Sequence, residues 1–290
     1  MSEPTQSLPR KILLATDLSG RGDRALDRSV LLANRWDAEL VVVHALGPHP
    51  LSGAGDELPS WRRPPDMSEL VERQIREDLR EAPPRLRVAV DEGEPLKVIL
   101  DAVEREAPDL LVVALGHGRL TEGLSRTVDE LFRRAPVSML VVKKRPNGPY
   151  GHILVGTDFT PEAMHGLEET ARLFPDAGLA VMHAYELPYR SFYDPARVSA
   201  DSDQAQLEAL RAWLAQANLD DEARRHVMAL VEQGPAERML SAYAFEKRAD
   251  LTVIGAYERG RLFHMVVGGK GPAIVQNAPG DVLVVRARRT

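Results

Sequence analysis

Short runs of almost unbroken apolar residues punctuate the first half of the chain: Ile12–Thr16, Leu40–His44, Leu86–Val90, Leu110–Val113 and Met139–Val142. Runs of four or five such residues predict strands buried on both faces, the pattern of a parallel sheet. Between the first two runs the period changes. Ala25, Leu26, Val30, Leu31 and Ala33 fall at helical spacing within Asp23–Arg35, with Ser19 or Asp23 placed to cap the helix start. Alternation of strand and helix predicts an α/β fold with an open parallel five-stranded sheet and helices on both faces. Ligands in such sheets sit beyond the carboxyl ends of the strands. The positions of interest are therefore Asp17 and Asp158, His44 and His183, and the loops after Val113 and Ile254.

The pattern then repeats. Lys11-Ile-Leu-Leu-Ala-Thr-Asp-Leu-Ser19 returns as His152-Ile-Leu-Val-Gly-Thr-Asp-Phe-Thr160, and Leu40-Val-Val-Val-His-Ala45 as Leu179-Ala-Val-Met-His-Ala184. Ala135-Pro136 and Ala278-Pro279 each lead into a closing apolar run. Three pairs share one offset of 141 residues: 17 to 158, 93 to 234 and 109 to 250. A register held at three separated points marks a duplication. We place the domains at 1–146 and 147–290, joined through the Pro-, Asn- and Gly-containing Lys143–Pro149 segment.

Composition narrows the function. The 290 residues carry 37 Lys plus Arg against 43 Asp plus Glu, a formal charge of −6, which argues against a nucleic-acid backbone as partner. No apolar run reaches the roughly 18 residues that span a bilayer, and the first ten residues lack the pattern of a secretion signal. There is no cysteine, so disulfides, thiolate metal sites and cysteine nucleophiles are all excluded, and a cytoplasmic protein is expected. The histidines show no metal-ligand spacing, no nucleophile-elbow motif is present and no paired carboxylates suggest a hydrolase. Neither a catalytic residue nor a metal site is assigned.

The strand-end Thr-Asp-x-Ser/Thr, the strand ending Val-x-His-Ala, the Gly before a helix and the closing Ala-Pro-x-x-x-Leu-Val-Val together resemble the universal stress proteins, in tandem form, over nearly the whole chain. The resemblance implies a Rossmann-like, adenine nucleotide alpha hydrolase-like fold in each half and a role in the stress response. It also implies pairing of the two domains through their last strands, with Met139–Val142 against Leu283–Val285. Many members bind ATP through Gly-x2-Gly-x9-Gly-(Ser/Thr) after the fourth strand, whereas others lack the motif and the ligand. Glycines there let backbone N–H groups approach phosphate oxygens.

The second half keeps part of that motif. Gly255 and Gly268 have the motif's separation, Glu258 stands at the second glycine and Gly269 at the Ser/Thr position, followed by Lys270. The resemblance places Thr157, Asp158 and Met182 in the same nucleotide site. Glu258 opposes the reading, since a carboxylate 4 Å from a phosphate oxygen costs about 4 kcal/mol at an effective dielectric of 20. Mg2+ between them, or Arg259 and Arg261 nearby, would reverse the sign. The first half has drifted further: Ala114 replaces the first glycine, Ser125-Arg126 stand where Gly-Ser belongs, and the intervening loop is two residues shorter. Its site, with Asp17, is read as vestigial.

Plainer roles compete. Asp17 and Asp158 sit where turn or cap residues belong, and His44 and His183 suit backbone-bonded strand ends. Gly47–Met67, with five prolines and Trp61, and Pro188–Asp203, with Tyr189, Phe192 and Tyr193, read as long loops near the ligand edge. Two functions stay open: a stress-response protein that holds ATP in its second domain without marked turnover, or a nucleotide-free scaffold for protein partners whose pockets have both decayed.

Overall fold

The computed structural model describes residues 8–47, 66–115, 126–186, 195–256 and 270–286, with backbone only at 195–201. The chain divides into two compact units, Met1–Gly148 and Pro149–Thr290.

In the first unit the strands are β1 (Lys11–Thr16), β2 (Glu39–Leu46), β3 (Arg85–Glu92), β4 (Leu110–Ala114) and β5 (Ser138–Val142). The helices are α1 (Gly22–Trp36), α2 (Met67–Asp78), α3 (Pro95–Glu106) and α4 (Arg126–Arg134). All pairings are parallel, in the order β3-β2-β1-β4-β5. The central strands carry the core: Ile12, Leu13, Leu14, Leu40, Val41, Val42, Leu111 and Val112 are wholly buried. Each large aliphatic buried this way contributes roughly 1.5–3 kcal/mol.

The second unit repeats this plan with β6 (His152–Thr157), β7 (Gly178–Tyr185), β8 (Met228–Gln233), β9 (Leu251–Ala256) and β10 (Asp281–Arg286). Its helices are α5 (Pro161–Leu173), α6 (Pro195–Leu214), α7 (Asp221–His226), α8 (Ala236–Glu246) and α9 (Gly271–Asn277). Strand order is β8-β7-β6-β9-β10, again all parallel.

The duplicated residues do duplicated work. Asp109 Oδ2 accepts from the N–H groups of Arg10 and Lys11 at 2.8 and 3.1 Å, and Asp250 Oδ2 from Gly151 and His152 at 2.9 and 3.0 Å. Each fixes the amino end of the central strand. Gly93 and Gly234 adopt φ of 145° and 150°, a region that disfavours side chains, where the chain turns from the edge strand into the next helix.

Four expectations need adjustment. Residues 86–90 form part of an edge strand, β3, that is only partly buried, because among the described residues no strand covers its outer side; Arg87 already broke the apolar run. Helix α1 starts at Gly22: the Ser19 hydroxyl accepts from Gly22 N–H at 3.3 Å, and Asp23 lies inside the first turn. Leu32, rather than Leu31, faces the core. Residues 195–203, read as loop, begin the 20-residue helix α6. The joining segment is fastened to the first unit, since buried Arg28 donates to Gly148 O at 2.9 Å and Arg24 to Lys143 O at 3.0 Å.

Candidate functional site

The site is built outward from the carboxyl end of β6. Phe159 takes a left-handed φ of 66°, which turns the chain sharply after the strand. Thr157 Oγ1 accepts from Phe159 N–H at 3.0 Å, and Asp158 Oδ1 accepts from both Thr160 N–H at 3.2 Å and the Thr160 hydroxyl at 2.5 Å. Thr160 Oγ1 in turn accepts from Ala163 N–H at 3.3 Å and caps α5, with Pro161 in the first turn. The first unit builds the same turn from Thr16, Asp17, Leu18 at φ 56° and Ser19, with 3.1, 3.0 and 2.6 Å bonds. His44 Nδ1 lies 2.9 Å from Thr16 O, and His183 Nδ1 lies 3.0 Å from Thr157 O. In both halves, therefore, the strand-end aspartate holds its own turn and the histidine braces the strand that delivers it.

The halves part company in the side chains around this turn. Phe159 stacks on His183 with centroids 4.1 Å apart, Trp213 approaches Phe159 edge-on at 6.1 Å, and the Tyr185 ring lies parallel to His183 at 6.4 Å. The Tyr185 hydroxyl donates to Asp203 Oδ1 at 2.6 Å. Burial first, and then that bond, push the phenol up to about 12. At the register positions of Phe159 and Tyr185 the first half has Leu18 and Leu46.

Lys270, just before α9, is held by two carboxylates. Its Nζ donates to Glu186 Oε1 at 3.1 Å and faces Glu237 Oε2 at 3.5 Å. Burial works to lower the ammonium's pKa, but the two carboxylates outweigh it and raise the value above the ordinary lysine range. Glu237 Oε2 is closed off from solvent, as is Glu162 Oε2 at the start of α5, which makes no hydrogen bond among the described residues. Among the described residues, the surroundings of Lys270 therefore carry more acid than base.

Other expected site residues find packing roles. Gly255 lies in β9 against the first turn of α5: a Cβ there would meet Glu162 O at 2.3 Å and Ala163 N at 2.7 Å. Close approach of helix to strand is reason enough for a glycine. Met182 is 1% exposed, so its side chain packs in the core. Thr157 is buried as well, with its hydroxyl engaged in the turn. In the first unit Ala114 is half-buried at the end of β4, and Arg126 is exposed at the first residue of α4. Glu258, Gly268, Gly269 and Ser125 lie outside the described residues, as do most of the proline-rich and aromatic loops.

Sequence reading did not find the Phe159–His183–Tyr185–Trp213 cluster or the partners of Lys270. Setting the halves side by side would have flagged Glu186 and Glu237, which stand opposite Gly47 and Leu96. Among the described residues no group of three His, Cys, Asp or Glu side chains is arranged to hold a metal ion, and no helix is long and apolar enough to cross a membrane. Nor does the occupied Lys270 present a bare cation to phosphate.

Two parallel α/β units of one strand order, each with an aspartate turn at the carboxyl end of its central strand, define a tandem protein of the adenine nucleotide alpha hydrolase-like fold. The family model of the universal stress proteins matches residues 9–143 and again 149–286, so the chain belongs to the universal stress protein family. Among solved structures it is similar to a functionally unknown protein from Pseudomonas aeruginosa PAO1, at 19% identity over 96% of this chain and 92% of that one, TM-score 0.66. A putative universal stress protein from Pseudomonas aeruginosa UCBPP-PA14 gives 20% identity, 96% and 93% coverage and TM-score 0.66. A universal stress protein from Archaeoglobus fulgidus DSM 4304 gives 17%, 95% and 98%, and 0.62. No curated protein matches the sequence.

Proposed function

We propose that this chain is a cytoplasmic stress-response protein that works by binding rather than by turnover, and that its second unit holds an adenine nucleotide while the first serves as structure. The observation that carries the reading is the placement of Lys270. It enters from the loop after β9, the strand next to β6, on the same carboxyl edge as the Asp158 turn. The first unit has Thr127 at that register position, with the nearest cation, Arg126, exposed one residue before it. ATP would bring its phosphates to Lys270 and the Gly268-Gly269 segment, with Mg2+ as companion charge for the carboxylates there. Binding rather than turnover is the reading adopted because the sequence carries no nucleophile motif at this edge, while Asp158 Oδ1 holds its turn and His183 Nδ1 lies against a backbone carbonyl.

Calorimetric titration of the full chain with ATP, with and without magnesium, tests the proposal. One saturable site per chain is expected, lost in Lys270→Ala and kept in Arg126→Ala. Absence of heat at millimolar Mg·ATP overturns it in favour of the nucleotide-free scaffold. That second reading is favoured by the Lys270–Glu186–Glu237 contact and by the packing roles of Gly255 and Met182.

A further inference from the structure

One charge cluster in the second unit has no trace in the first. Lys270, Glu186 and Glu237 come from three segments: the residue before α9, the residue after β7 and the first turn of α8. By the register of the repeat their counterparts are Thr127, Gly47 and Leu96, so the cation and both carboxylates are present in one copy and all three are absent from the other. The three elements all meet the carboxyl edge of the sheet, where ligands of this architecture bind.

The contacts are unequal. Glu186 is more than half exposed and sits one residue beyond a strand end, whereas Glu237 is fixed by α8 and turns a buried oxygen toward Nζ. An anion that approaches Lys270 meets this pair first. It has to displace the outer carboxylate and then share the ammonium with the inner one.

We propose that Glu186 and Glu237 form an internal clamp that occupies Lys270 in place of a ligand phosphate, so that the anion site of the second unit is self-inhibited until the carboxylates are displaced or neutralised. This rests on the reading of the second unit as the nucleotide-holding half. Glu186 is the movable jaw, and Glu237 sets how strongly the closed state is favoured. Exposed pairs of this kind are screened by water, so each carboxylate is expected to weaken anion binding roughly fivefold.

The test titrates the full chain, E186Q/E237Q and E186Q/E237Q/K270A with inorganic triphosphate and, separately, with ATP. Circular dichroism confirms that each variant is folded. The double variant is expected to bind both probes at least about tenfold more tightly than the parent, and the triple variant to lose the gain. If the double variant does not fold, E186Q alone, at an exposed position, is expected to give about fivefold. A parent that binds ATP and a double variant that binds no tighter overturn the clamp and leave the nucleotide reading standing. A double variant that binds where the parent does not supports the clamp and overturns nucleotide binding by the parent. If neither protein binds either probe, both ideas are overturned.

Discussion

The two units differ less in backbone than in the ends at which they concentrate charge. In the first unit an ion network lies at the amino end of the sheet. Glu106, at the close of α3 with its side chain only 7% exposed, accepts from Arg87 and from Lys11, while Glu39 pairs with both cations. The register positions in the second unit are Lys247, Met228 and His152, and there an aromatic contact stands in place of the ion pairs: the Tyr243 ring meets His152 edge-on at 5.8 Å and its hydroxyl lies 3.8 Å from Met228 Sδ. The second unit places its cluster, Lys270 with Glu186 and Glu237, at the carboxyl end instead. Charge at the amino end lies away from the edge at which ligands of open parallel sheets enter, so its expected effect is on stability. On the function proposed above, the copies divide a common inheritance, one toward a fastened scaffold and the other toward a ligand site.

The largest break of that comparison comes from Gly255. Its Gly255→Ala variant drives a Cβ into the backbone of α5, where neither partner is a flexible side chain, and is expected to destabilise the second unit by about 3 kcal/mol. The reciprocal Ala114→Gly in the first unit meets no such limit and is expected to cost about 0.5–1 kcal/mol. Denaturant melts of the two variants check this. Equal losses would show that Gly255 is not a packing residue and would return it to the phosphate motif.

Next in size is Glu106. The hydrogen bond from Arg87 chiefly, against the opposing effect of burial and with help from Arg105, holds its carboxyl at about 2, below an ordinary 4.5. A depressed folded-state value means that the stabilisation is fully present above about pH 4.5 and is lost as pH falls toward 2. Because Arg87 and Lys11 are partly solvated, Glu106→Gln is expected to cost about 1–2 kcal/mol at neutral pH. The gap between variant and parent should close on acidification. Stability curves at pH 7 and pH 3 measure it, and a gap independent of pH would remove the network from the account.

Much of the architecture was legible because apolar runs and the repeat are properties of consecutive residues. Ile12–Thr16 and His152–Thr157 announce central strands by composition alone, and Arg87 hinted that β3 was an edge. The site was harder to read. The need for glycine at position 255 lies in a helix that begins more than ninety residues earlier, and Lys270 finds its carboxylates 84 and 33 positions away. No local period encodes such distances. Met182 shows a related limit: the register that aligned it with the family's site said nothing of the core packing of its side chain.

The smallest effect sharpens the comparison where the units agree. Ser19 and Thr160 each accept from a helix-start N–H at 3.3 Å and donate to the preceding aspartate, so the two caps are the same device built from two hydroxyl residues. Ser19→Ala and Thr160→Ala should each lower stability by about 1 kcal/mol, with no difference between halves beyond experimental error. Each variant also frees Asp17 or Asp158 Oδ1 from one of its hydrogen bonds. If the second unit alone holds nucleotide, calorimetry should show a change in ATP affinity for Thr160→Ala and none for Ser19→Ala, although the structural cost is shared. A matched response of both variants in binding as well as stability would mean that the duplicated turns are functionally equivalent, and the division of labour between the copies would fail at the feature they hold most closely in common.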